Sequence, residues 1–323
     1  MAGMRLVVAD GPFLDQILAE SHGIWADGLS KKAYLKYNLA QLRTPWGARH
    51  LRRFALVDDA GSVLTSAKRY DLRARVEDRE VAAVGIGAVF TPRAHRGCGH
   101  AAAIITRLID DAMREGAELA ILFSEIGPAY YERLGFATVP RRELLLSINE
   151  KAGAPMTLVR SGEERDIAAV AGLAEAMSRL TRFAIAHSAD YIRYGLSRKR
   201  LLAGLLPPGA LTVEFFIVEE GTSAVAFAIL TSAGEDVVLE MCGDRDPAGA
   251  RVGALLQVLR ARTPGEHAVK VRGSLPPGWL PPQMTIVASA VAPDLLMVKP
   301  LNDRVLSRPL KEVDILYWHG DLL

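Results

Sequence analysis

Apolar residues along the chain alternate between two spacings, and the order of those spacings outlines the fold. Met4 to Val8 is a short strand-like run. The stretches "GPFLDQILAESHGIW" and "SKKAYLKYNLAQLR" then carry apolar residues at helical spacing, the second with Ser30 as N-cap. Three strand-like runs follow, "RFALVD", "SVLTSAKRYDL" and "VAAVGIGAVF", with Gly61 placed for a hairpin turn between the first two. After a glycine-containing loop, a helix is predicted from about His100 to Glu115, because Ile104, Ile105, Leu108, Ile109 and Ala112 share one face. "AELAILFS" reads as a buried strand, "PAYYERL" as a short helix stopped by Gly135, and "FATVPRRELLLSI" as one or two last strands. This order predicts an α/β fold with a mixed, mostly antiparallel sheet flanked by helices.

Ala152 to Pro155 ("AGAP") reads as a boundary, and beyond it the pattern starts again. "TLVRSGEERDIAAVAGLAEAM" parallels the first strand and helix. "FFIVEEGTSAVAFAILTSAGEDVVLEM" parallels the three strands, and "GARVGALLQVLRA" parallels the helix after the loop. The chain is therefore expected to hold two similar halves, residues 1–150 and 155–323, in keeping with its 323-residue length. The halves differ at the loop. The first has "VFTPRAHRGCGHAAAII"; the second has "DRDPAGARVGAL" instead.

The net charge of +2 lacks the basic excess of a general nucleic-acid binder. The basic run Arg193 to Arg200 is explained by a solvated helix face. Two cysteines, Cys98 and Cys242, are too few for a disulfide framework and fit a reducing compartment. No basic-then-apolar leader pattern opens the chain, and no apolar run approaches the roughly 20 residues that span a bilayer. The expectation is a cytoplasmic protein without membrane or nucleic-acid partners, and nothing in the sequence indicates an oligomer.

The loop admits three chemistries. Gly97-x-Gly99-x-x-Ala102 matches the dinucleotide fingerprint literally, but that motif needs its first glycine directly after a strand, and Pro92 lies in a linker here. His95, Cys98 and His100 crowd the loop without any zinc-ligand spacing, so no metal is expected. A pyrophosphate cradle at a helix N-terminus is the third. There, glycines let backbone N–H groups approach phosphate oxygens, Arg96 adds a forked donor, and Ala101 and Ala102 keep the first turn open. On the loop alone, a glycine-rich turn with a solvated arginine explains the residues as well.

A second motif changes the balance. "LFSEIGPAYYERLGF", with Tyr131, Gly135 and Phe136, follows the loop, which itself matches Gln/Arg-x-x-Gly-x-Gly/Ala at Arg96, Gly99 and Ala101. In that order and separation, the two motifs resemble the GNAT superfamily of acetyl-CoA-dependent N-acetyltransferases. The likeness covers residues 1 to about 148, with a degenerate echo beyond. Together with "TPWGARH" and "SHGIWADGLS", it is most similar to the fungal lysine N6-acetyltransferases. The resemblance implies acetyl-CoA as co-substrate and a small-molecule amine, such as lysine, as acceptor. It implies donor contacts from Ala88, Val89 and Phe90, from Arg96, Gly97, Cys98, Gly99, His100 and Ala101, and from Ser124, which stands where the family often has Asn. It implies Tyr131 as general acid. The strand before the loop has no carboxylate, so Glu125 is the candidate base, with a water chain as the alternative. Gly85 and Gly87 fit either a bulge or relief of crowding. Trp25, Tyr34, Trp46 and Tyr70 are candidate liners of an acceptor pocket, and Trp318 either joins them or closes a sheet. The rival functions are a non-catalytic acyl-CoA sensor, which would tolerate loss of Tyr131, and a nicotinamide enzyme using Gly97-x-Gly99.

Overall fold

The computed structural model describes residues 3–148, 158–262 and 269–323. The expected boundary at Ala152 to Pro155 lies outside the described residues. The first stretch of chain carries β1 (Arg5–Val8), α1 (Gly11–Trp25), α2 (Lys31–Arg43), α3 (Pro45–His50), β2 (Leu51–Val57), β3 (Val63–Val76) and β4 (Arg79–Phe90). It continues with α4 (His100–Arg114), β5 (Leu119–Ser124), α5 (Ala129–Glu132), β6 (Ala137–Thr138) and β7 (Arg142–Ile148). Then come β8 (Leu158–Ser161), α6 (Ile167–Ser178), β9 (Phe183–Ile185), α7 (Ala189–Leu205), β10 (Thr212–Glu220), β11 (Ser223–Ala233) and β12 (Asp236–Asp244). The last are α8 (Ala250–Arg262), β13 (Val269–Gly273), β14 (Met284–Val291), β15 (Leu295–Pro300) and β16 (Ile315–Leu316). No helix among the described residues is long and apolar enough to cross a membrane.

The chain divides into two compact units. Unit 1 holds 1–139, 294–309 and Leu323; unit 2 holds 140–293 and 310–322. This differs from a simple cut between 150 and 155. In unit 1 the strands run β1-β2-β3-β4-β5-β15-β6, and only β4 and β5 are parallel. In unit 2 they run β8-β10-β11-β12-β13-β7-β14, and only β12 and β13 are parallel. The two orders correspond strand for strand. Each unit takes its sixth strand from the other half of the sequence: β15 enters the first sheet and β7 enters the second.

Local chemistry sets the element ends. Ser30 Oγ accepts from the Ala33 N–H at 3.3 Å, as its N-cap position requires. Gly61 takes φ +83° in the β2–β3 turn. The expected face of α4 is the buried one: Ile104, Ile105, Leu108, Ile109 and Ala112 pack on Leu56, Ala67, Val84 and Ile86. Full burial of each of these larger side chains stabilises by roughly 1.5–3 kcal/mol. The other face of the sheet packs Ala55, Val57 and Val63 against Ile17 of α1. Helix α3 lies where the sequence was assigned no element; the Thr44 hydroxyl caps it by accepting from the Gly47 N–H at 3.0 Å. Trp318 is 1% exposed and belongs to the core of unit 2.

A fragment ending at residue 150 lacks β15, which bonds β5 from Leu119 to Ser124 and also bonds β6. Without it the edge of β5 is bare, and such edges favour aggregation. Residues 1–150 alone are expected to give no cooperative thermal transition by circular dichroism. Residues 1–139 joined by a flexible linker to 294–309 should recover one. A sharp transition from 1–150 alone would contradict the strand assignment.

Candidate active site

The β4–β5 ladder is the frame of the site. Its parallel pairing runs from Ala83↔Leu119 to Ile86↔Leu122 and stops, while β4 continues to Phe90 and β5 to Ser124. Beyond Ile86 the backbone of Gly87 to Phe90 has no β5 partner in the register. The register to β3 shifts between Ser66 and Lys68, and Ala88 sits in that bulge at φ +46°, a left-handed backbone that a residue with a Cβ rarely takes. The bulge is thus at Ala88 and not at the neighbouring glycines. Those two relieve crowding: a Cβ on Gly85 would lie 2.6 Å from Leu323 Cδ1 and 2.9 Å from Leu72 Cδ1, and one on Gly87 would lie 3.2 Å from the Tyr70 ring. The Thr65 hydroxyl fixes the strand end by donating to the Phe90 carbonyl at 2.9 Å. Trp25 meets Phe90 edge-on with centroids 6.4 Å apart.

The loop follows. Gly97 and Gly99 take φ +79° and +81°, and a Cβ on either would meet nothing within 4 Å. Their freedom serves backbone conformation, and they face open space. Gly99 is the N-cap of α4, with no side chain capping the helix, and the first intrahelical bond is Ala103 N–H to the Gly99 carbonyl at 3.0 Å. No side chain among the described residues takes the amide donors of the first turn, and the positive end of the helix dipole lies behind them. Arg96 is exposed, and its Nε donates to the Thr91 carbonyl at 3.1 Å. Cys98 is exposed, and its Sγ lies 3.7 Å from the Arg96 carbonyl. The rings of His95 and His100 stand edge-on at 6.3 Å. Among the described residues, no group of three His, Cys, Asp or Glu side chains gathers to hold a metal.

Unit 2 resolves the equivalent corner in the opposite way. Asp244, fully buried at the end of β12, accepts the Arg251 N–H at 2.8 Å and the Val252 N–H at 3.3 Å. Its other oxygen accepts the Asp246 N–H at 2.8 Å. A carboxylate of the chain itself thus occupies the start of α8, where unit 1 presents free donors. Glu240 sits in the unit 2 bulge between Ile229 and Leu230 and is equally committed. It bonds Lys199 Nζ at 2.7 Å, His319 Nδ1 at 3.0 Å and the Thr231 hydroxyl at 2.6 Å. The run Arg193 to Arg200 is accordingly not a purely solvated face: Lys199 is turned inward onto Glu240, and Arg198 lies over the Tyr194 ring at 5.9 Å.

The remaining expected site residues divide. Tyr131 is 8% exposed, stacked edge-on against Tyr130 at 5.1 Å and Phe136 at 6.2 Å. Burial pushes its phenol up from the ordinary value, with Tyr130 and then Glu125 adding to the shift. The proton is firmly held, but the phenol is a weaker acid than a free tyrosine. Glu125 is exposed in the turn after β5. Ser124 is buried and its hydroxyl donates to the Gly127 carbonyl at 2.8 Å, so its one proton closes its own turn and does not face outward. Tyr34 and Tyr70 are buried, and Trp46 packs beside His50 at 5.1 Å.

One residue escaped the sequence reading. Arg53 of β2 is 3% exposed, and its Nη1 is buried without a hydrogen-bond partner among the described residues. Burial pushes it down, and the groups acting on its charge are the Tyr34 and Tyr70 hydroxyls. The signal was present in "LRRFALV": Leu51, Arg53, Ala55 and Val57 share one parity, so an arginine occupies a core position of the strand.

With this geometry in place, the comparisons become informative. Residues 26–139 match the model of the acetyltransferase (GNAT) domain, a segment that lies within unit 1. A GCN5-related N-acetyltransferase structure from Kribbella flavida is similar at TM-score 0.66 and 15% identity, covering 93% of this chain and 71% of that one. One from Anabaena variabilis is similar at TM-score 0.69 and 13% identity, with 93% and 73% covered. The Saccharomyces cerevisiae N-myristoyltransferase with bound myristoyl-CoA is similar at TM-score 0.54 and 10% identity, with 93% and 84% covered. At these identities the likeness is one of fold, and it extends over both halves. No curated protein matches the sequence. Residues 26–139 thus carry the match to a GNAT acetyltransferase domain, and with the fold of the N-acetyltransferase structures this supports an acyltransferase.

The Glu240 cluster makes a pH prediction. Burial alone would raise this carboxyl, but His319 and Lys199 outweigh it and bring it down to about 2. A carboxyl lowered on folding stabilises above its unfolded value, near 4.5, and that contribution is lost as pH falls toward 2. The scale is on the order of 3 kcal/mol. Denaturant titrations should show stability falling through this window in the wild type, and falling less in Glu240→Gln. Identical acid profiles would mean that the cluster contributes no net stability.

Proposed function

We propose that the protein transfers an acetyl group from acetyl-CoA to a primary amine, by direct attack in a ternary complex. Free lysine or another small amine is the acceptor, as the resemblance to the fungal enzymes implies. A reducing, cytoplasmic setting suits its two free cysteines. The observation that carries the reading is the contrast between the helix starts. α4 offers uncapped donors behind Gly97 and Gly99, whereas α8 has its donors filled by Asp244.

In this reading the loop from Arg96 to Ala101 holds the pyrophosphate, and the β4 backbone from Ala88 to Phe90 holds the pantetheine and thioester. The unpaired stretch after Ile86 supports that role. A backbone N–H near Val89 faces the developing oxyanion, a device worth roughly 3 kcal/mol. The amine attacks in its neutral form and loses a proton toward Glu125, directly or through water. Tyr131 returns a proton to the departing thiolate. Against a thiol near 8.5, that transfer is uphill by at least about 2 kcal/mol for a buried phenol. Desolvation of the thiolate in the same enclosed place raises the thiol too and narrows the gap. Ser124 contributes a turn, not a donor contact.

Thiol release from acetyl-CoA against a panel of amines tests the reaction as a whole. Gly99→Val places a side chain where nothing of the protein stands, so the protein should still fold, at a backbone cost of roughly 1–3 kcal/mol for a β-branched residue in the left-handed conformation. Acetyl-CoA affinity should drop about tenfold or more by calorimetry. The same titration on wild type should give one site per chain, and two equivalent sites would sink the contrast between α4 and α8. Tyr131→Phe should slow single turnover by roughly 10²-fold with donor affinity kept, and Tyr130→Phe should do far less. Equal small effects would reduce Tyr131 to packing.

A further inference from the structure

Arg53 poses a problem that unit 1 does not solve by itself. A buried charge without a partner is costly, by several kcal/mol, and such charges occur where something pairs with them. Arg53 has buried tyrosine hydroxyls beside it, and no carboxylate is among the groups acting on its charge. Lys68 stands directly opposite it in the β2–β3 register, on the same face of the sheet, and like charges placed so are destabilising. The next residue on that face of β3, Ser66, is fully buried with an Oγ that has no hydrogen-bond partner among the described residues. An unpartnered guanidinium nitrogen and an unspent hydroxyl therefore lie on the same face of adjacent strands. That area of the sheet lies beside the reacting strand, because Lys68 is in turn paired with Gly87, next to the Ala88 bulge.

We propose that Arg53 receives a carboxylate carried by the acceptor amine, so that the substrate class is an amino acid with its amine and carboxylate several bonds apart. The inference rests on the acetyl-transfer reading above for the position of the amine, near Ala88. Two inter-strand spacings, about 10 Å, separate the Arg53 and Gly87 backbones. The arginine side chain spans part of that distance, which leaves room for a chain of about four to six bonds between the two ends of the acceptor. A singly charged carboxylate neutralises the guanidinium and accepts two parallel N–H bonds from it, the geometry for which arginine is suited. Ser66 supplies a further donor. Arg53, Tyr34 and Tyr70 are all buried, and away from water the attraction between the guanidinium and a carboxylate is stronger.

The test uses acceptors that differ in one charge only: 6-aminohexanoate and 6-aminohexanamide, with acetyl-CoA as donor. In the wild type, kcat/KM for the carboxylate should exceed that for the amide by about tenfold or more, chiefly through KM. In Arg53→Met, of similar volume and apolar, the ratio should fall to within about threefold of one. Arg53→Lys should retain part of it, and it serves if the methionine variant does not fold. Binding is read separately from turnover: hexanoate should raise the melting temperature of the wild type, hexanamide should not, and hexanoate should lose its effect in Arg53→Met. Equal use of the two amines by the wild type, or a hexanoate shift that survives Arg53→Met, overturns the proposal and leaves acetyl transfer standing. An Arg53-dependent hexanoate shift with no amine acetylated overturns the transfer reading and leaves the carboxylate subsite standing.

Discussion

Every helix begins with backbone donors that nothing in the helix can satisfy, and the two halves of this chain answer that constraint in opposite ways. α8 is closed by Asp244, a fully buried carboxylate that takes the N–H groups of Arg251 and Val252. α4 is preceded by Gly99 in the left-handed conformation and has no side-chain cap. An internal anion at the helix start leaves no donors for an external one. An open start, with glycines on which a Cβ would meet no protein atom, leaves those donors unclaimed by any side chain among the described residues. The same logic repeats one strand away. The unit 2 bulge is filled by Glu240 with Lys199 and His319, while the unit 1 bulge carries only the methyl of Ala88.

The sheet arrangement depends on a second constraint, the pairing of strand edges. A parallel pair such as β4 and β5 can diverge only if the strands beyond it hold the sheet together. β15 does this for unit 1, pairing with β5 over its full length from Leu119 to Ser124. β7 plays the same part beside β13 in unit 2. Because each of these strands comes from the other half of the sequence, neither half of the chain is a complete sheet by itself.

That exchange explains where sequence reading succeeded and where it stopped. Periodicity found the α4 face, the three central strands and their echo in the second half, since each depends on residues close in sequence. It could not place β7 and β15, because the apolar run "RELLLSI" looks the same beside either sheet. The loop glycines were visible because positive φ and open approach both favour glycine. Gly85 and Gly87 were ambiguous, and only the contacts with Leu72, Tyr70 and Leu323 separate crowding from a bulge. The hydroxyl of Ser124 was assigned outward from the family position, whereas the Gly127 carbonyl claims it, a bond set by the φ +84° turn that no spacing reveals. The inward turn of Lys199 was hidden because a basic run on a helix looks solvated until the partner, Glu240, comes from a distant strand.

Unit 1 and unit 2 also differ in how they treat the groups at their matching helix starts and bulges. In unit 2 three buried carboxylates are paired: Asp244 with backbone donors and Arg251, Glu240 with Lys199, Asp321 with His187 at 2.6 Å. Unit 1 retains a non-glycine residue at positive φ in Ala88, an uncapped helix start, an unpartnered Nη1 on Arg53 and an unpartnered hydroxyl on Ser66. Each is a local cost of order 1–3 kcal/mol that packing elsewhere must offset. Such costs persist where a bound molecule relieves them, and all four lie on β2, β3, β4 or the loop that follows β4. At the helix start and the bulge, unit 2 fills with its own side chains the positions that unit 1 leaves open.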